Sequence, residues 1–222
     1  MANTISHGVL VALLAGAMLG CETASTTMTM RDQANTAVWQ GRWSEAEHLY
    51  EQLVAKYPSD WRYQYGYGLS AMHTGELSEA RQALEVAHTL KPSNRQIALD
   101  LAETMYQQKD YNSLFRFLGD RAEARKESSD WLLLGEYALM TNDPDSAREF
   151  VAKAMVIDDA SSVDPYLRAA TMSEQMGDLD AAKRYLRTGW EVDPSNALVQ
   201  ERLRSYGVIP GPTLAMPSSD TR

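Results

Sequence analysis

Few side chains in this sequence have the types and spacing that metal binding or catalysis requires. The four histidines are His7, His48, His73 and His88, and the single cysteine is Cys21. Structural zinc sites use four such ligands, usually arranged as closely spaced pairs. These five residues show no such spacing, and one cysteine has no partner for an intrachain disulfide. The sequence therefore predicts no metal site.

An acidic cluster in the second half of the chain is the other candidate for metal binding. Asp158, Asp159 and Asp164 lack the alternating ligands, the glycine and the closing glutamate of a calcium loop, which favours a solvated linker. Glycine-rich phosphate loops and serine-nucleophile elbows do not occur in the sequence. We therefore expect no catalytic residue, no cofactor and no small-molecule substrate, and predict a protein that is not an enzyme.

Composition and charge narrow the class of partner. The chain has 222 residues, of which 44% are hydrophobic and 23% are charged, as in a soluble folded domain. Its formal net charge is −9. Binding to a phosphate backbone needs clustered lysine and arginine, so nucleic acid is not an expected partner.

Cys21 is the one residue whose position indicates a covalent modification. Residues 9–19 read VLVALLAGAML, an uncharged run too short to span a bilayer but long enough for a signal-peptide core. The run leads into Gly20 and Cys21, and this junction resembles the bacterial lipobox. The resemblance implies a signal peptide over residues 1–20 and a lipidated Cys21. The alternatives are an ordinary secretory signal or a short membrane-associated helix with an incidental cysteine.

The same resemblance predicts a location. Glu22 follows the cysteine, whereas an aspartate at that place usually signals retention at the inner membrane of Gram-negative bacteria. The resemblance therefore implies the periplasmic face of the outer membrane. Two or three acyl chains would hold the protein firmly, since each buried methylene contributes about 0.8 kcal/mol. Residues 21–29 are small and polar and are predicted to form a tether.

A period of 34 residues organises the rest of the chain. Pro58 and Pro92 are 34 residues apart, as are the pairs Gly41 and Gly75, and Ala46 and Ala80. Glycine permits a tight turn, alanine allows helices to approach closely, and proline ends a helix. Ser44 and Ser78 are predicted to cap the second helix of each unit. This period and these residue types are typical of stacked helix–turn–helix units.

The pattern resembles the tetratricopeptide repeat. The resemblance implies an all-α fold, a right-handed α-solenoid of about five helix–turn–helix units over residues 30–206, with a disordered tail at 207–222. The predicted repeats are 27–60, 61–94, 95–127, 128–162 and 163–196, followed by a capping helix at 197–206.

The third of these repeats is degenerate. Leu114 and Arg121 stand where the family usually has small residues, and Gly119 falls inside the expected second helix. We expect that helix to shorten or bend near Gly119 and to be followed by a charged, exposed segment reaching about Ser128.

In the tetratricopeptide family, the first helix of each repeat lines a concave groove that holds protein or peptide ligands. The resemblance implies the following groove residues: Arg31, Asn35, Trp39, Arg62, Tyr65, Leu69, Met72, His73, Glu103, Tyr106, Glu136 and Met140. Leu99, Leu132 and Leu139 occupy groove positions too, but we expect them to pack between repeats. Some relatives clamp a peptide carboxylate with a basic pair in the third repeat, where this chain has Gln96 and Asp100, so that clamp is not predicted.

The lipobox and the repeats together lead to two hypotheses of function. One is an interaction scaffold anchored in the cell envelope that assists assembly of a pilus or secretion system, with a secretin or pilus component as partner; small pilus-biogenesis and tight-adherence lipoproteins combine the same features. The alternative is an adaptor that docks peptidoglycan-modifying enzymes or proteases at the outer membrane.

Overall fold

The computed structural model describes residues 27–211. These residues form eleven α-helices and no β-strand. The first helix, α1, spans residues 27–39. The others are α2 (Trp43–Lys56), α3 (Trp61–Thr74), α4 (Leu77–Leu90), α5 (Arg95–Gln107), α6 (Tyr111–Arg125), α7 (Ser128–Met140), α8 (Pro144–Ile157), α9 (Asp164–Gln175), α10 (Leu179–Val192) and α11 (Ala197–Ser205). The helices pair as the 34-residue period predicts, and the all-α, helix–turn–helix fold class is confirmed.

The chain divides into two compact units between Tyr111 and Asn112. In the first unit, α2 packs on α3, α3 on α4 and α4 on α5. Ala37 and Ala46 are fully buried where α1 meets α2, and they pack with Tyr50 and Leu53. Small residues at this contact let the two helices approach closely.

In the second unit, α7 packs on α8, α9 on α10, and α10 on α11. The core around α11 consists of Val163, Ala170, Ala182, Leu186, Val199 and Leu203. Leu203 and Val199 are fully buried, so α11 covers the apolar face that the last repeat would otherwise expose. The predicted capping helix is therefore present.

The turns within the repeats are set by residues in the left-handed backbone region. Gly41, Gly75 and Gly177 have φ of 70°, 92° and 75°, and Asn142 takes the same role with φ 61°. Pro144 then begins α8. These conformations cost little for glycine and are tolerated by asparagine, which explains why these residue types end the first helix of each repeat.

The predicted caps at Ser44 and Ser78 are wrong. Both serines lie in the first turn of their helices, and the N-cap positions are Arg42 and Glu76, without a side-chain capping bond. Side-chain capping occurs instead at acidic and amide residues: Asp60, Asn94, Asp143, Asp178 and Asn196. These short side chains accept hydrogen bonds from backbone N–H groups that lack partners within the helix.

The third repeat departs from expectation. The helix α6 continues through Gly119 to Arg125 and does not shorten there. Arg121 is buried, and its Nε lies 3.3 Å from Oδ1 of Asp130 in α7, whose side chain is 2% exposed. Arg125 Nε lies 3.1 Å from the other carboxylate oxygen. The arginine replaces a small residue because the next helix supplies a buried carboxylate for it.

Several sequence predictions lie outside the described residues. These are the signal peptide, Cys21 and the tail from residue 212 onward. Residues 27–29, which the sequence analysis placed in the tether, lie in the first turn of α1. Among residues 27–211, no helix has the length and apolar character needed to cross a membrane.

Candidate functional site

The first unit has a cavity between the first helices of its first two repeats. Its volume is about 360 Å³. We call it the aromatic cavity, and it is lined by Arg31, Asn35, Val38, Tyr50, Trp61, Arg62, Tyr63, Tyr65, Gly66, Leu69 and Asn94. The structure brings together here five of the predicted groove residues: Arg31, Asn35, Arg62, Tyr65 and Leu69.

The floor of the aromatic cavity is rigid. A Cβ atom at Gly66 would lie 2.4 Å from ring atoms of Tyr50, so only glycine leaves room for this ring. The Tyr50 hydroxyl donates a hydrogen bond of 2.6 Å to Oδ1 of Asn35. Burial raises the pKa of Tyr50, which keeps the hydroxyl protonated as a donor. Sequence reasoning missed Tyr50 because it belongs to a second helix, outside the family's groove positions.

One wall of the cavity is held by a carboxylate with neutral partners. The Tyr65 hydroxyl donates to Oδ2 of Asp100 over 2.8 Å, and Gln96 Nε2 donates to Oδ1 over 3.0 Å. Burial raises the pKa of Asp100, although both hydrogen bonds act in the opposite direction. Burial and the nearby Asp100 charge also raise the pKa of Tyr65. Tyr65 is therefore fixed in place as a neutral aromatic wall.

Two arginines form the rim of the cavity. Arg31 Nη2 lies 2.9 Å from Oδ1 of Asp32, and the two side chains are 42% and 63% exposed. The Arg62 side chain is 67% exposed, and its guanidinium group stands 5.1 Å from the centre of the Trp61 ring. An apolar pocket with exposed cations at its rim suits an apolar or aromatic side chain beside an acidic group.

The second unit has a larger groove along the first helices of its repeats. Its volume is about 920 Å³. We call it the methionine groove, and it is lined by Glu136, Leu139, Met140, Asn142, Pro144, Leu167, Arg168, Thr171, Met172, Gln175, Met176, Leu198 and Arg202. Two predicted groove residues, Glu136 and Met140, lie in it. Methionine side chains are flexible, so this lining adapts to differently shaped apolar groups.

Arginine–carboxylate pairs hold the methionine groove. Arg168 Nε donates to Oε1 of Glu136 over 2.8 Å. Arg202 Nη2 lies 2.8 Å from Oε1 of Glu174, and the Tyr206 hydroxyl donates to the same oxygen over 2.5 Å. Burial by itself would raise the pKa of Glu174, but the bonds from Arg202 and Tyr206 outweigh it and lower the pKa. The carboxylate is therefore held ionised.

The other predicted groove residues do not line either cavity: Trp39, Met72, His73, Glu103 and Tyr106. Trp39 is 83% exposed on α1. The His73 ring stacks on Trp43 with 3.7 Å between the ring centres. Tyr106 packs against Tyr111 at the α5–α6 turn, with ring centres 5.8 Å apart.

The three leucines at groove positions behave differently from one another. Leu132 is fully buried in the core, as expected. Leu99 is half-buried. Leu139, in contrast, lines the methionine groove with a half-buried side chain.

Several residues of the methionine groove were missed at the sequence level, above all Arg168, Met172, Met176 and Arg202. The same groove positions, carried into the fifth repeat, would have identified Leu167, Thr171 and Gln175. Met172 and Arg202 have no such signal, because one faces the gap over Gly135 and the other belongs to the capping helix.

The acidic loop after α8 uses its carboxylates to shape the backbone. Oδ1 of Asp158 accepts from the N–H of Ala160 over 3.0 Å, and Oδ1 of Asp159 accepts from the N–H of Ser161 over 3.1 Å. Within residues 27–211, no cluster of histidine, cysteine and acidic side chains is arranged to hold a metal ion.

Comparisons with known proteins identify the repeats. Residues 31–95 match a family model described as "Tetratricopeptide repeat", and residues 163–196 match a second model with the same description. A crystal structure of MamA protein is 17% identical, with a TM-score of 0.56, and the match covers 85% of this chain and 100% of that one. MamA from Desulfovibrio magneticus RS-1 is 16% identical, with a TM-score of 0.55, covering 77% and 97% of the two chains.

A further structure, of MamA AMB-1, is 22% identical with a TM-score of 0.50, and the match covers 79% of this chain and 96% of that one. No curated protein matches the sequence. At these identities the structural likeness concerns the fold. The chain thus contains tetratricopeptide repeats in an all-helical fold, and this architecture indicates a protein–protein interaction scaffold of a typically non-catalytic kind.

Proposed function

We propose that this protein is a non-enzymatic scaffold of the bacterial cell envelope that binds a polypeptide partner in the aromatic cavity. The observation that carries this proposal is the convergence of five predicted groove residues on one preformed cavity in the first unit. A preformed site binds with a smaller loss of conformational freedom than a site that must first be ordered.

The chemistry of the cavity defines the partner. Aromatic rings supply large apolar contact, and the exposed Arg31 and Arg62 attract an acidic group. The favoured ligand is therefore a segment of polypeptide with an apolar or aromatic side chain next to an acidic residue. The Asp100 carboxylate behind Tyr65 disfavours a second negative charge deeper in the wall.

The envelope location depends on Cys21. A lipid at this residue, a short link to α1 and an array of repeats together favour a scaffold that works at a membrane surface, on the periplasmic face of the outer membrane. We propose that this scaffold assists assembly of a pilus or secretion system and that the bound polypeptide belongs to a secretin or a pilus component.

Lipidation is tested by metabolic labelling with palmitate. The native chain is expected to incorporate label and to fractionate with the outer membrane, whereas Cys21→Ser loses both properties. Equal labelling of the two chains would contradict the proposed anchor.

The partner is tested by photocrosslinking in cells. A benzoylphenylalanine probe at Tyr65 lies in the aromatic cavity, and a matched probe at Tyr111, which is 37% exposed, lies outside it. We expect a secretin or pilus component to crosslink from position 65 and not from 111. Peptidoglycan hydrolases or proteases at position 65 would instead favour the adaptor function, and identical products at both positions would contradict binding in the cavity.

A further inference from the structure

Aromatic and basic side chains cluster around the first described residue of the chain. The cluster is formed by the end of α2, the following loop and the start of α3. We call it the N-terminal patch, and it comprises Lys56, Tyr57, Ser59, Trp61, Arg62 and Tyr63. These side chains surround a shallow depression of about 720 Å³ that also contacts Thr27.

The start of α1 is fastened to this patch. Lys56 Nζ donates to Oγ1 of Thr27 over 3.0 Å, and the Tyr57 hydroxyl lies 3.3 Å from the same oxygen. The chain that precedes Thr27 therefore joins the fold at the patch. Six residue steps separate Cys21 from Thr27, so the two Cα atoms are at most roughly 22 Å apart.

The side chains of the patch are those that favour a membrane–water interface. Tyr57 is 37% exposed, and its ring lies 5.9 Å from that of Tyr63 and 5.5 Å from Lys56 Nζ. Arg62 covers the Trp61 ring at 5.1 Å while most of its side chain stays in solvent. Tryptophan and tyrosine prefer the headgroup region, and lysine and arginine are attracted to anionic lipids.

We propose that the N-terminal patch lies against the lipid headgroups of the membrane that holds Cys21. This inference rests on the proposed lipidation, which keeps the patch within the length of the short link from the bilayer. Trp61 and Arg62 belong both to the patch and to the aromatic cavity. Contact with lipid therefore places the mouth of the cavity at the membrane surface, where it meets polypeptides close to the bilayer.

The test uses the full chain, produced in a Gram-negative host and reconstituted into vesicles of phosphatidylethanolamine with a smaller share of phosphatidylglycerol. Ser59→Cys places an environment-sensitive fluorophore in the patch. Glu76→Cys is the matched control, because it follows the opposite end of α3, roughly 20 Å away along the helix axis. We expect emission at position 59 to shift to shorter wavelength and to be quenched by nitroxide-labelled lipid, with neither effect at position 76.

Two further results separate the patch from the anchor. Lys56→Glu combined with Arg62→Glu is expected to abolish the emission shift at position 59 while the protein still floats with the vesicles. Flotation with equal emission at positions 59 and 76, or a shift that survives the charge reversal, would overturn the patch and leave the anchor intact. A native chain that does not float would overturn both the proposed anchor and the patch.

Discussion

Two partly buried carboxylates, one in each unit, have opposite responses to their surroundings. Asp100 in the first unit is hydrogen-bonded by the neutral groups of Tyr65 and Gln96, and burial raises its pKa. Glu174 in the second unit is paired with Arg202 and Tyr206, and its pKa is lowered despite burial. A neutral hydrogen-bond donor does not offset the loss of hydration of a carboxylate, whereas a positive charge does.

The two cavities differ in the same manner. The aromatic cavity has rings fixed by hydrogen bonds and close packing, while the methionine groove has flexible thioethers between arginine–carboxylate pairs. We therefore expect the first to select a particular side chain and the second to accommodate several. Substitutions in each unit test this contrast.

The largest effect is expected from the buried ion pair of the second unit. Asp130→Ala leaves Arg121 as a buried charge without its carboxylate, which should lower the free energy of unfolding by about 3 to 5 kcal/mol. Chemical denaturation measures the change. The double variant Arg121→Leu with Asp130→Leu should recover most of the loss, because it buries neither charge. An unchanged midpoint for Asp130→Ala would contradict the role of the pair.

Packing around glycines should show the contrast between rigid and flexible linings. Gly66→Ala puts a Cβ 2.4 Å from the Tyr50 ring and should cost about 2 kcal/mol, since that ring is held by Asn35. Gly135→Ala meets only the flexible end of Met172, at 2.3 Å, and should cost less than about 1 kcal/mol. Thermal unfolding gives both values.

The control for these variants is Gly119→Ala in α6, where an added Cβ meets no heavy atom within 4 Å. It should raise stability by about 0.5 to 1 kcal/mol, because alanine is the better helix former. Equal losses for Gly66→Ala and Gly135→Ala would remove the distinction between the two linings.

A smaller effect is expected at Glu174. Its pKa in the folded protein lies below the ordinary 4.5, so its contribution to stability is present above that pH and is lost as pH falls through the folded pKa. Glu174→Gln should therefore lower the free energy of unfolding by about 1 kcal/mol at neutral pH. The difference from the native chain should vanish in acid. A difference that is independent of pH would show that the carboxylate acts without its charge.

The smallest effect, with the opposite sign, is expected at Asp100. Its pKa in the folded protein lies above the ordinary 3.8, so the native chain loses stability as pH rises from that value through the folded pKa. Asp100→Asn lacks this loss, and its stability relative to the native chain should rise with pH by less than about 1 kcal/mol. Denaturant titrations across the acidic range measure the trend, and a trend of the reverse sign would contradict the raised pKa.

Much of the fold was predictable from residue types at fixed intervals. Gly75 at φ 92° and the fully buried Ala80 follow from requirements of a single turn or a single helix contact, which recur every 34 residues. The groove positions led to five residues of the aromatic cavity for the same reason. Ser44 failed as a cap because α2 begins at Trp43, one residue earlier than a serine cap requires.

Contacts between different repeats were not predictable in this way. Arg121 looked like an exposed substitution at a small-residue position, yet Asp130 of the following helix supplies its partner. Tyr50 became the floor of the aromatic cavity because Gly66 of another repeat leaves space for the ring. Neither pairing has a periodic signature.

The order and types of the amino acids were sufficient to establish where helices begin, where they turn and which small residues lie between them, because these features depend on local backbone sterics and on a repeated interval. Which side chains share a cavity, and whether a buried acid meets a neutral donor or an arginine, depended on the packing of helices distant along the chain. That packing sets burial and neighbouring charge, the two quantities that gave Asp100 and Glu174 opposite pKa shifts.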